Sequence, residues 1–343
     1  MASTVTFKPK QVTKRMLSNL PPRAYEVITN RFGLTDDAQR KTLEAIGQKY
    51  GITRERVRQI ENAALTLIRK SEAFKDEKAV FDELKKLIHT LGGIVSEQDL
   101  LSHTSKDKLT QNHIHLYLTL GDGFTKHKED DEFKTRWSVD SEISEEVHRS
   151  LKNLFANLSD DELVPEQELI SRFLDEVKSL SEQYKNEEIA RRWLSMSKTI
   201  NKNPLGEWGK STSSSIKTRG IKDYAFLMMR KHGSPMHFRE VAKAVANTFD
   251  KKCHTATCHN ELIKDSRFVL VGRGIYALSE WGYKSGVVRE VIKELLKKNG
   301  PMSKEDIVDQ VMKERYLKKN TILVNLQNSK YFKKNKNGLY TEA

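Results

Sequence analysis

Residues 53–61 read Thr-Arg-Glu-Arg-Val-Arg-Gln-Ile-Glu, and this stretch restricts what the chain can fold into more than any other. Taken as a helix, Val57, Ile60, Ala64 and Leu67 follow the three-to-four spacing of one buried stripe. Arg54 and Arg58 then form an exposed i, i+4 pair, and Glu55 and Gln59 form a second beside it. A plain solvated face more often shows Lys and Glu in simple ion pairs. This face instead carries groups that match base edges: Arg bonds guanine O6 and N7, Gln bonds adenine, and Glu accepts from cytosine N4.

The residues upstream complete a helix-turn-helix. Leu43, Ile46 and the small Ala45 suit a short supporting helix across 42–50. Gly51 gives the turn a permissive φ, Ile52 plugs the angle, and Thr53 caps the next helix. Pro21 and Pro22 open an earlier helix with the stripe Ala24, Val27, Ile28 and Phe32, and Gly33 ends it. Arg23 and Arg31 flank that helix as phosphate-holding candidates.

At these residues the chain resembles region four of primary-type bacterial sigma factors. The matching pieces are Arg31-Phe32-Gly33-Leu34, Thr42-Leu43-Glu44-Ala45-Ile46-Gly47, and Thr53 through Glu61 with Ala64-Leu65 beyond. Their order and spacing agree over residues 17–70. The resemblance implies a unit that binds the promoter −35 element in the major groove and docks on the β flap of the RNA polymerase core. Carried over by position, Arg54, Glu55, Arg58 and Gln59 face bases and nearby phosphates, with Thr53 at the head of their helix. Arg23, Arg31, Thr42 and Leu43 approach the backbone. The plain alternative is a helix-turn-helix used only for protein contacts. Two departures stand out. Asn62, Ala63, Thr66 and Leu67 replace the basic continuation of the recognition helix, leaving Arg69 and Lys70. Little chain precedes the unit, with no aromatic-rich melting helix, so the expectation is a protein that does not melt a promoter alone.

At 343 residues the chain suits several small domains. Its net charge of +13 favours a polyanionic partner. The charge is unevenly placed. Residues 1–75 hold 15 Lys/Arg against 7 Asp/Glu, and residues 76–220 hold 21 against 27. Residues 221–279 hold 10 against 5, and residues 280–343 hold 14 against 8. Both ends suit nucleic acid, and the acidic middle suits spacing or protein contacts. No apolar run is long enough to span a bilayer, and the N-terminus lacks a signal-peptide core, so a cytoplasmic protein is expected.

After residue 75 a loose repeat of roughly 65–70 residues recurs. Each unit has three helices and a tail with Gly and an aromatic, ending near Trp137, Trp208, Tyr276 and Tyr340. First helices are expected near Val80, Val147, Ile221 and Val287. Second helices follow Gly92-Gly93, Gly233 and Gly300, over 94–101, 236–246 and 302–312. Three helices plus a two-stranded hairpin is the winged-helix pattern; the alternative is a helical solenoid. Residues 268–278 alternate as a hairpin should. Ser211–Ser215 reads as a linker, and 187–196 as the third helix of the least regular unit.

One repeat carries a second resemblance. Ile221-Lys222-Asp223-Tyr224-Ala225, Gly233 through Val241, Thr255 to Leu262, Asp265 to Phe268 and the 272–278 hairpin are similar to a HARE-type helix-turn-helix. That winged module is shared by the polymerase delta subunit, chromatin proteins and restriction-associated proteins.

Catalytic patterns are absent from the sequence: no phosphate-cradling Gly-rich loop and no G-x-S-x-G elbow. Cys253-His254 and Cys258-His259 sit in one short segment, whereas structural zinc usually draws ligands from two elements. Cys258 is therefore read as a core residue and no metal is expected. The acidic run 129–132 is read as a solvated wing, and His113 and His115 as pointing to different faces of a helix. Lys333-Lys334-Asn335-Lys336-Asn337-Gly338 is a basic wing tip, serving either phosphate contact or solubility.

The expected fold class is mainly α: tandem helix-turn-helix and winged-helix domains with small β-hairpin wings. The domains are 1–75, sigma region four-like; 76–140, winged-helix-like; 141–218, irregular winged-helix-like plus linker; 219–284, HARE-type; and 285–343, winged-helix-like. The function expected is a DNA-binding transcription protein that recognises a −35-like element, is not a complete sigma factor, and is not an enzyme. Its partners are double-stranded DNA and the RNA polymerase core, with no cofactor, membrane or small-molecule substrate. The alternatives are a delta-like polymerase accessory subunit, or the DNA-targeting component of a restriction or modification system.

Overall fold

The computed structural model describes residues 5–177, 180–283, 287–315 and 318–343. The chain divides into two compact units, Met1–Lys202 with Glu207–Thr212, and Asn203–Gly206 with Ser213–Ala343. Both are mostly helical with small antiparallel sheets. No helix among the described residues is long and apolar enough to cross a membrane.

The first unit begins with α1 (Pro9–Leu17), α2 (Pro22–Phe32), α3 (Leu43–Tyr50), α4 (Arg54–Lys70) and α5 (Glu72–Lys75). It continues with α6 (Lys78–Thr90), β1 (Ile94–Ser96), α7 (Glu97–Thr104), α8 (Lys108–Leu120), β2 (Thr125–His127) and β3 (Arg136–Ser138). α8 organises this part. Ile114, Leu116, Tyr117, Leu118 and Leu120 are all buried, as are Asn112 and His113. A helix covered on every side is a core element. α1, α2 and α4 pack on it, so one hydrophobic core runs from Val12, Met16, Ile28 and Ile68 to Leu84, Leu100, Tyr117 and Trp137.

Polar contacts lock the same junction. Asn112 is fully buried; its Nδ2 donates to the carbonyls of Gly33 and Ala38 at 2.8 and 2.9 Å, and its Oδ1 accepts from Arg40 Nε at 2.7 Å. Arg69 donates to the Leu120 and Thr119 carbonyls at 2.9 and 2.7 Å. Thr13 Oγ1 lies 2.8 Å from His113 Nδ1 and 2.7 Å from the Tyr117 hydroxyl. His115 does face away from His113, toward Glu97.

The unit closes with α9 (Ser141–Asn157), α10 (Glu166–Glu176), α11 (Glu187–Met196), β4 (Ile200–Lys202) and β5 (Trp208–Lys210). α9 begins well before Val147, because Asp140 caps it, accepting from Ile143 N at 3.1 Å. The acidic run lies in the loop between β2 and β3, but it is ion-paired rather than merely solvated. Glu129 pairs with Lys198, Asp130 with Arg136 and Glu132 with Lys152. The cations come from β3, α9 and the segment after α11, which sequence proximity does not reveal.

The second unit holds α12 (Ile221–His232), β6 (Met236–His237), α13 (Phe238–Phe249), α14 (Thr255–Lys264), β7 (Phe268–Gly272) and β8 (Ile275–Leu278). Then come α15 (Val288–Asn299), α16 (Lys304–Glu314), α17 (Lys319–Leu326), β9 (Phe332–Lys334) and β10 (Tyr340–Glu342). Ile292, Ile307, Val311, Ile322 and Phe332 form the core of this last part. Ser211–Ser215 holds no helix or strand, and the chain passes between units there.

The residues that follow the inter-helix turns do not open the second helices. Ile94–Ser96 pairs with β3, and Met236–His237 with β8, giving sheet orders β1-β3-β2 and β6-β8-β7. Met302 bridges to Tyr340 in the same place. The wings are thus three-stranded in two units, because the segment entering the second helix satisfies its backbone groups on the hairpin's open edge. Cys258 is buried, as expected of a core thiol, and Cys253 is half-buried. Among the described residues no group of three or more His, Cys, Asp or Glu is placed to hold a metal ion.

Candidate nucleic-acid interface

The helix-turn-helix of α3 and α4 is built by local rules and one close approach. Thr42 Oγ1 caps α3, accepting from Ala45 N at 3.1 Å, and Thr53 Oγ1 caps α4, accepting from Arg56 N at 3.1 Å. Gly51 ends α3 at φ +64°, a conformation that suits glycine. Gly47 sets the angle between the helices. A Cβ there would lie 2.6 Å from the Ile52 carbonyl oxygen, and the Ile52 N–H donates back to the Gly47 carbonyl at 3.0 Å. Sequence reasoning found Gly51 and Ile52 but passed over Gly47. Its signal was a glycine inside a short helix, which costs about 1 kcal/mol against Ala and so needs a packing reason.

Val27, Ile46 and Val57 are fully buried at the centre, with Leu43, Tyr50, Ile52 and Ile60 packed around them. The stripe on α4 differs from the sequence reading at its far end. Leu67 is 51% exposed, while Leu65 and Ile68 are buried. Ile68 lies eleven residues after Val57, about 20° from it around the helix, whereas Leu67 falls about 80° to the side.

The outward face of α4 holds Arg54, Glu55, Arg58 and Gln59, all exposed. It is not free of ion pairs. Arg58 Nε and Nη2 donate to the Glu55 carboxylate at 2.9 and 2.6 Å, and Arg56 Nη1 donates to Gln59 Oε1 at 3.1 Å. The Arg58 guanidinium holds the Glu55 carboxyl below its ordinary range. Exposed pairs of this kind are weak in water, so they exchange readily for contacts on a ligand. Arg56 was missed by sequence reasoning because it fits neither i, i+4 pair. It is exposed and lines the notch between α3 and α4 with Glu44 and Gln48.

The backbone-contact candidates are arranged less uniformly. Arg23 is exposed in the first turn of α2. Arg31 is half-buried, with Nε 3.3 Å from Glu61 and Nη1 donating to the Lys41 carbonyl at 3.2 Å. α4 brings Glu61 against Arg31 from thirty residues away, so this phosphate-holding candidate is only partly open to a ligand. Thr42 is exposed beside its cap, and Leu43 is half-buried against the helix-turn-helix core.

Residues 16–70 match the family described as Sigma-70, region 4, and this part of the chain is a domain of that kind. Relatives match over stretches of similar length. The RNA polymerase sigma factor SigA of Clostridium acetobutylicum is 41% identical over 73 residues, covering 21% of this chain and 19% of the relative. SigA1 of Synechococcus elongatus is 54% identical over 54 residues, 16% of this chain and 13% of the relative. RpoD of Helicobacter pylori is 47% identical over 60 residues, 18% of this chain and 9% of the relative. The chain thus spans a fifth or less of the length of these relatives.

Proposed function

We propose that this protein binds double-stranded DNA in transcription, with α4 reading a −35-like promoter element in the major groove. The observation that carries this reading is the exposed Arg54, Glu55, Arg58 and Gln59 face on a region 4 domain. Their hydrogen-bonding groups match base edges, and Arg56 adds a further cation at the same end of the helix. Arg23, Arg31, Thr42, Leu43 and Thr53 are proposed to hold or approach the phosphate backbone. The relatives are RNA polymerase sigma factors, which supports a contact with the polymerase core, proposed to be at the β flap. We further propose that the protein acts by binding without covalent chemistry, in the cytoplasm.

The five-domain division is retained as a proposal. Its boundary between 284 and 285 lies outside the described residues. The 219–284 segment is read as a HARE-type module, supported by its order of α12, β6, α13, α14 and the β7–β8 hairpin. A delta-like accessory role is favoured by one feature, the internally neutralised α11. Arg191 pairs with Glu166 and Glu187, and Arg192 with Asp99 and Glu188, leaving a surface better suited to protein than to DNA.

The test is selection of a preferred site from random DNA, then binding of variants to it and to a scrambled duplex. Arg58→Ala and Gln59→Ala are each expected to lose about 5- to 150-fold on the selected site and to relax preference at one base pair. Arg23→Ala should weaken both duplexes alike. Variants at 58 and 59 that bind both DNAs as the parent does would leave the helix-turn-helix as a protein-docking surface.

A further inference from the structure

We infer that the C-terminal winged unit is a second duplex-DNA-binding surface, formed by α17 and the β9–β10 hairpin and independent of base reading by α4. From Arg315 to Thr341 the chain carries seven Lys/Arg and no Asp or Glu. Arg315 is buried, its Nη1 donating to the Leu270 carbonyl. The six lysines, Lys318, Lys319, Lys330, Lys333, Lys334 and Lys336, are all exposed. Among the described residues none of the six forms an ion pair. Glu342, the next acid along, is already held by Lys293 at 2.9 Å and Lys297 at 3.9 Å.

The fold turns this sequence run into a surface. Ile322 and Leu326 bury one side of α17, and Phe332 anchors β9 in the same core. Asn320, Thr321 and Val324 are left outward, with Val324 66% exposed. Amide, hydroxyl and methyl groups are what a helix offers to base edges and to the thymine methyl. The hairpin that Phe332 anchors carries the exposed Lys333, Lys334 and Lys336, cations of the kind a phosphate-tracking wing uses.

In the first unit α8 and α11 are not available in this way. From Asn112 onward α8 is buried or half-buried, and the arginines of α11 are neutralised by four carboxylates. Duplex is favoured over single strands because single-strand sites rest on exposed aromatic stacking platforms. Here Phe332 is buried, while Tyr331 and Tyr340 are half-buried beneath Arg289 and Lys334.

The experiment uses the full chain with Lys333→Ala, Lys334→Ala and Lys336→Ala combined, and the matching triple Lys→Arg variant. Binding is followed on the selected-site duplex, a scrambled duplex and a single strand, between about 50 and 200 mM salt. The Ala triple should lose affinity equally on both duplexes, and its log–log salt slope should become shallower by about 2 to 3. The Arg triple should keep the parental slope, and thermal melting should not change. An unchanged slope in the Ala triple overturns the inference. So does an Arg triple that behaves like the Ala triple, or a loss larger on the single strand than on duplex. Arg58→Ala, run in parallel, separates the two proposals. If it has no effect while the Ala triple loses slope, base reading by α4 fails and this surface stands.

Discussion

Replacing Asn112 by Ala should cost the first unit about 3–5 kcal/mol, although Asn112 lies far in sequence from the helices it holds. Its amide makes three hydrogen bonds, to the Gly33 and Ala38 carbonyls and from Arg40 Nε. Two neutral bonds contribute about 1 kcal/mol each, and a bond from a charged group about 1.5–3. No water can replace them easily, because Asn112 is fully buried. The assay is urea denaturation of the full chain followed through the buried Trp137 and Trp193, with hydrogen exchange at Leu34 to localise the effect. The midpoint should fall with little change in slope, and the Leu34 amide, bonded to the Thr29 carbonyl, should lose protection. A loss below about 1 kcal/mol would refute the reasoning, since so small a cost fits an exposed or already satisfied amide. The winged segment would then not be a scaffold for the helix-turn-helix.

Gly47→Ala should destabilise by about 1–2 kcal/mol in a thermal melt, because overpacking against the Ile52 carbonyl exceeds the gain in helix propensity. It should also weaken the selected site more than scrambled DNA, and a stabilised variant would contradict the close approach. Burial, with the nearby Lys10 charge, lowers His113 from 6.5 to about 4 in the folded state. The unfolded chain therefore binds the proton first as pH falls, so this contribution is intact above about 6.5 and lost progressively down to about 4. Between pH 7 and pH 5 the His113 share is about 2 kcal/mol, and His113→Leu should flatten the measured stability–pH curve over that window by a similar amount.

The parts legible in the sequence were those governed by a few neighbouring residues. Thr42 and Thr53 cap their helices and Gly33 and Gly51 close them, as the residue types dictate. The outward face of α4 followed from helical spacing, and the four hairpins from their Gly and aromatic tails. Each of these is an interaction spanning four residues or a tight turn, so composition at fixed offsets is enough to specify it. Tertiary structure decided the rest. Sequence could not show that α8 is buried on every side, that Arg31 meets Glu61, or that Glu129, Asp130 and Glu132 find cations on other elements. Nor could it show that Leu67 stays in solvent while Leu65 and Ile68 turn in, or that the entry to α13 becomes a strand. Most of these outcomes depend on partners tens of residues away, brought close only when several amphipathic helices bury their stripes together. The same physics separates the buried α8 from the open α17: both are helices of mixed composition, and only packing determines which keeps a face for a ligand.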